Sequence, residues 1–144
     1  RLSDRHGTLG DAAISAEQLA TLDADIAAVC SGLPDVPPDT VVISSGGTAA
    51  NLGGAVLKGK KHKMHGMLID INDLRKLRDR LAALPLSERR DFPGINPRRA
   101  DVIVAGLSVQ LGVMQVLGCR NLLLSLRGLR YGLLWSLLAE QAEG

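Results

Sequence analysis

The chain is poor in aromatic residues: Phe92, Tyr131 and Trp135 are the whole set among 144 residues. A surface that stacks single-stranded bases needs more platforms than this, which argues against that class of binder. The core must come from Leu, Val, Ile and Ala instead. Cysteine is equally sparse. Cys30 and Cys119 lie far apart, show neither metal nor redox spacing, and read as buried thiols in a reducing, cytoplasmic compartment. Residues 1–5 carry no signal-peptide pattern. No apolar run reaches the roughly 20 residues of a membrane span. The uncharged stretch Val102 to Cys119 contains Ser108, Gln110 and Gln115 and reads as a buried helix. A net charge of +2 is too small to imply a polyanionic partner by itself. There is no initiator Met, as expected of a fragment. Hydrophobic residues at 46% and charged residues at 22% fit one globular domain. At this length roughly two-thirds of the unfolded surface can be buried.

The stretch that organises the chain is Ser44-Ser45-Gly46-Gly47-Thr48. Before it, Thr40-Val41-Val42-Ile43 is short and β-branched, the pattern of a buried strand. After it, Ala49-Ala50-Asn51-Leu52 reads as a helix start, with Thr48 as a candidate cap. Two glycines let the backbone turn sharply and approach a ligand, and the helix N-terminus then points N–H groups at the turn. The alternative is a tight strand-to-helix turn with no ligand.

Elsewhere, Ser15 and Gln18 have capping-box spacing, and a helix is expected from Ala16 to about Cys30. Leu19, Leu22, Ile26 and Val29 form its apolar stripe, and Gly32 is the expected C′ residue. Residues 58–66 form a basic loop containing Lys58, Lys60, Lys61, His62, Lys63 and His65. Met67-Leu68-Ile69 is a candidate short extended piece. Asn72 is the candidate cap of a helix to about Leu84, with Leu74, Leu77, Leu81 and Leu84 on its core face. Asn96-Pro97 opens a helix expected to run to about Leu117, with Gly118 as C′. Asn121 to Ser125 reads as a second buried strand, and a last helix runs from about Leu129 to Glu140. The class is α/β, helix-rich, with few strands in parallel pairing. Two convincing strands do not make a stable sheet, so strand 41–45 is expected to have an unpaired edge or to borrow a partner from another molecule, as in a homodimer.

Val41 to Ala50 resemble the strand and Gly-Gly-Thr loop of the exopolyphosphatase/guanosine pentaphosphate phosphohydrolase (Ppx/GppA) family. His65-Gly66 with the following Leu-rich helix is similar to that family's next block. Pro93-Gly94-Ile95 with Arg98 to Gly106 resembles its most recognisable block, and Gly128-Leu129-Arg130 with Gly132-Leu133-Leu134 its closing one. The resemblance implies an actin-like, ribonuclease-H-like fold of two lobes with phosphates held between them. It implies release of terminal phosphate from polyphosphate or guanosine pentaphosphate, with Mg²⁺. It places this chain in the second lobe, without that lobe's first strands and without the first lobe. The catalytic Glu and two further phosphate loops have no match here, so the piece is expected to lack turnover alone. Leu126, Tyr131 and Ala50 depart from the family pattern, which weakens any substrate assignment.

On this basis Gly46, Gly47 and Thr48 are the candidate phosphate-binding residues. Arg99, Arg130, Lys60 and Lys61 are candidate phosphate or polyanion contacts, against a plainer reading as helix-end ion pairs and solvated lysines. Asp70, Asp73 and Asp101 read as caps and ion-pair partners rather than a replacement base. No residue is assigned to catalysis or to a metal. Two other functions stay open at this point: a non-catalytic polyphosphate or nucleotide binder, and a helical interaction domain.

Overall fold

The structure, a computed structural model, describes residues 11–59 and 64–142. Three short strands form one mixed sheet: β1 (Val42–Ser45), β2 (Leu68–Asp70) and β3 (Asn121–Ser125), in the order β1-β3-β2. Around it lie α1 (Ala16–Cys30), α2 (Gly46–Val56), α3 (Ile71–Ala82), the short α4 (Leu86–Arg90), a 3₁₀ turn (Pro97–Arg99), α5 (Ile103–Val116) and α6 (Leu129–Ala142).

The β1–β3 pair is parallel, as expected, with Val42 opposite Leu122 and Ser45 opposite Ser125. The candidate extended piece is a true strand, but β2 runs antiparallel to β3, with Asp70 opposite Asn121. At three residues it is too short to show alternation. Its place is fixed by partners distant in sequence: Gly66 N–H donates to Leu124 O and Leu124 N–H to Met67 O. Among the described residues β1 pairs on one side only, and Val41 and Ile43 on it are exposed.

The uncharged α5 is the central helix. α1, α2 and α3 pack on it, and Val104, Leu107, Leu111 and Met114 are buried there. Its glycines admit the neighbours: a Cβ at Gly112 would strike Ile26 Cγ2 of α1, and one at Gly106 would sit 2.9 Å from Thr48 of α2. Gly118 takes φ +64°, with Cys119 N–H on Met114 O and Gly118 N–H on Gln115 O, the Schellman closure expected there.

The capping box forms as expected, Gln18 N–H to Ser15 Oγ at 3.1 Å and Ser15 N–H to Gln18 Oε1 at 2.8 Å. Leu22 and Ile26 of the α1 stripe are buried, but Val29 is 76% exposed and Cys30 takes the buried place. Gly32 is not the left-handed stop, because α1 closes at Ser31 in ordinary helical conformation. Asn72 is not the cap of α3. β2 runs straight into the helix, so Asp70 holds the extended cap conformation and accepts the Asn72 N–H at 2.8 Å. Asn96-Pro97 opens only the 3₁₀ turn. The Ala100 carbonyl accepts from buried Arg89, and α5 begins afresh at Ile103.

Two buried arginines tie segments together. Arg78 of α3 donates to Asp23 of α1 at 2.8 and 2.9 Å and to Ser108 of α5 at 3.2 Å. Arg89 is fully buried and donates to the carbonyls of Ala12, Leu84 and Ala100. Burial holds its pKa below the ordinary arginine value, and Asp101 opposes that. Arg89→Ala leaves three carbonyls without their donor in a dry site, so a loss of about 2–4 kcal/mol is expected in urea unfolding.

The Asn72 N–H, then Arg120 at 3.1 Å, hold the Asp70 carboxyl below its ordinary pKa. A group whose pKa is lowered by folding stabilises above its unfolded value and loses that contribution as pH falls through the folded one. The stability gap between wild type and Asp70→Ala should therefore be full near neutrality and shrink below about pH 4. Paired thermal melts across that range test it.

Candidate functional site

The parallel β1–β3 register brings two turns side by side at the C-terminal end of the sheet, where ligands bind in open α/β folds. One turn is Ser45-Gly46-Gly47, leading into α2. The other is Leu126 to Gly128, leading into α6. Between them is a cleft of about 650 Å³ lined by Gly46, Gly47, Ala50, Leu126, Gly128, Leu129, Arg130 and Tyr131. Its lining holds no carboxylate.

Gly46 takes φ +83°, a conformation that an L side chain adopts only with strain. Helix α2 begins at Gly46 itself, with Ser45 at the cap position making no side-chain bond. Thr48 is therefore not the cap; it is the third residue of the helix. Outside the sheet and the helices, among the described residues, no oxygen accepts from the N–H groups of Gly46, Gly47 or Thr48. A methyl on Gly128 would lie 4.0 Å from Gly46 N, an ordinary contact distance.

Thr48 does not line the large cleft. It is half-buried against Gly106 and borders a water-sized crevice with Gly47, Asn51, Arg99, Val102 and Ile103. Arg99 reaches the same place, its guanidinium 3.8 Å from where a Cβ on Gly47 would be. Gly46, Gly47 and Arg130 thus share one opening, and Gly47, Thr48 and Arg99 share its neighbour. Among the described residues neither Arg99 nor Arg130 makes an ion pair, so the helix-end pairing reading is not what the structure shows. Lys60 and Lys61, with His62 and Lys63, lie outside the described residues.

The carboxylates sit elsewhere. Asp70 caps α3 and pairs with Arg120, opposite Asn121 at the far end of β3 from the glycine turn. Asp73 pairs with Lys76 at 3.5 Å on the surface. Asp101 is the charge nearest in effect to Arg89. Among the described residues no three His, Cys, Asp or Glu side chains gather as a metal site would need.

Sequence reasoning missed Asn51. It is buried on α2, donates to Gly47 O at 2.7 Å, and accepts the Asn96 N–H at 2.6 Å. Asn96 Oδ1 in turn accepts the Arg98 N–H at 3.0 Å. Two amides thus hold the 3₁₀ turn, and Arg99 on it, against the first turn of α2. The signal available was an amide in an otherwise apolar helix, with its partner 45 positions away. His65 was also unassigned; its Nδ1 accepts the Leu126 N–H at 3.2 Å and braces the second turn.

The fold is a mixed α/β domain with a glycine turn at the C-terminal end of a parallel strand pair. The chain belongs to the Ppx/GppA phosphatase family, whose model matches residues 8–141. Two solved structures from Aquifex aeolicus are similar. One Ppx/GppA family member is 23% identical over 97% of this chain, with a TM-score of 0.84. Another, a PPX-GPPA enzyme, is 25% identical over 94%, with a TM-score of 0.70. An exopolyphosphatase from Cytophaga hutchinsonii is 20% identical over 97%, with a TM-score of 0.71. The chain spans only 45–47% of the length of these three. No curated protein sequence matches it. No described helix is long and apolar enough to cross a membrane.

Asn51→Ala removes the part-buried bond to the Asn96 N–H and releases the Arg99 turn. It should lower stability by about 1–3 kcal/mol in urea unfolding. Gly47→Ala meets only the Arg99 guanidinium at ordinary contact distance and should fold normally. Gly46→Ala, at positive φ, should cost about 1 kcal/mol.

Proposed function

We propose that this chain is the second-lobe portion of a Ppx/GppA phosphohydrolase and supplies one wall of its phosphate site. The observation that carries the reading is the convergence of a helix N-terminus, Gly46-Gly47, with two arginines that make no ion pair among the described residues. Backbone N–H groups and the α2 dipole favour an anion there, with Arg130 lining the cleft beside Gly46 and Gly47 and Arg99 the neighbouring crevice beside Gly47 and Thr48. Phosphoryl transfer to water depends on positioning and charge neutralisation, which is what these groups offer. The reaction assigned to the whole protein is release of terminal phosphate from polyphosphate or guanosine pentaphosphate. The water-activating Glu, the Mg²⁺ ligands and the two further phosphate loops belong in this reading to the rest of the parent protein, its first lobe and the first strands of its second.

A second reading, a phosphate-binding module without turnover, fits the chain on its own. The cleft has no carboxylate to act as a base, and the family's remaining length is not in these 144 residues. The two readings agree on binding and differ on the parent protein.

Titration of the chain with short-chain polyphosphate, followed by Trp135 fluorescence, tests the shared claim. Arg99→Ala and Arg130→Ala should each weaken binding about tenfold or more, since each removes a charge-assisted contact. Neutralising Lys60 and Lys61 should lower only the salt-dependent part. Affinity lost in the lysine variant alone would leave a nonspecific patch and no site. Phosphate release by the chain with Mg²⁺ should stay at background; release that follows the purified chain would defeat the division of labour between lobes.

A further inference from the structure

The second turn of the cleft starts where β2 stops supporting β3. Met64 to Met67 form a four-residue turn, closed by Met67 N–H on Met64 O at 3.1 Å, with Gly66 at φ +82° in its third place. This turn is zipped to β3: Gly66 N–H donates to Leu124 O and Leu124 N–H to Met67 O, both at 2.8 Å. Alternate residues of a strand direct their N–H groups to the same neighbour, so Leu126 N–H faces the side that Leu124 N–H does. The chain opposite has turned away at Gly66, and the acceptor there is a side chain, His65 Nδ1 at 3.2 Å. A ring nitrogen that accepts carries no proton, so the neutral imidazole holds its proton on Nε2.

We propose that His65 is a positioning residue for the cleft, which is taken here as the phosphate site proposed above. Its ring continues the β2 edge by one step and fixes the turn that leads to Arg130. Leu126 is the first residue of that turn. Arg127 N–H is held on Ser125 Oγ at 3.2 Å, and Gly128 O accepts the Tyr131 N–H at 2.9 Å. Local bonds thus link Leu126 to the first turn of α6, where Arg130 lies. His65 is not among the residues that line the cleft. Its effect on an anion passes through the turn, because a charge-assisted bond from Arg130 depends on distance and angle.

His Nδ1 and Asn Oδ1 are both attached to Cγ, so asparagine offers an acceptor at the same reach. Leucine fills the space and offers none.

Amide hydrogen exchange and calorimetric titration with tripolyphosphate, both on the whole chain, test this. His65→Ala and His65→Leu should speed exchange at Leu126 N–H about tenfold. They should weaken tripolyphosphate binding about fivefold, the scale of one lost hydrogen bond. His65→Asn should restore both. The His65→Ala penalty should vanish in an Arg130→Ala background and persist in an Arg99→Ala background. Wild-type affinity in the alanine and leucine variants overturns the positioning role and leaves the phosphate reading standing. So do unchanged exchange at Leu126, or a penalty undiminished without Arg130. A loss that asparagine does not repair overturns it too, since the ring would then touch the anion itself. A wild-type chain that takes up no tripolyphosphate removes the phosphate reading, and this role with it.

Discussion

The parallel pairing of β1 with β3 is the contact on which the rest depends. Four residue pairs in register set Ser45 beside Ser125. Both strands must then leave the sheet at the same end, one into α2 and the other into α6. The cleft is the space between those two exits. A shift of one residue would turn every side chain of β1 to the other face, taking Ser44 from beneath the Gln110 amide, which donates to its hydroxyl at 2.6 Å.

A second layer of constraint makes the cleft a site rather than a gap. α2 must lie close to the loop that follows α4, and glycine on both sides allows it. A Cβ on Gly54 would collide with the Gly94 carbonyl, and one on Gly94 with the Gly54 carbonyl. That backbone-to-backbone approach sets the distance across which Asn51 reaches Asn96. The arginine beside the glycine turn is thus placed by the buried Asn51, the exposed Asn96 and two glycines, none of which lines the cleft itself.

Much of this could be read from residues because the decisive partners were local. Ser15 and Gln18 are three apart, and Gly118 closes a helix with carbonyls from the preceding turn. The uncharged run from Val102 to Cys119 is short of a membrane span and forms the buried central helix. What escaped reading depended on distance in sequence. Asp70 displaced Asn72 as a cap because β2 ends there, and β2 exists only because β3 pairs with it. Val29 lost its core place because α1 stays against α5 only along the Leu22–Ile26 line. The glycine turn and both arginines were visible as residue types, but their shared opening needed the strand register. Thr48 looked like a cap beside two glycines, yet the helix starts two residues earlier and turns its side chain to Gly106.

The free side of β1 has a consequence of its own. It presents a ladder of amides and carbonyls next to Val41 and Ile43, with no Pro, lysine or bulge inside the strand to blunt it. Such a row is a template for strand addition, in which each arriving chain leaves a fresh row behind.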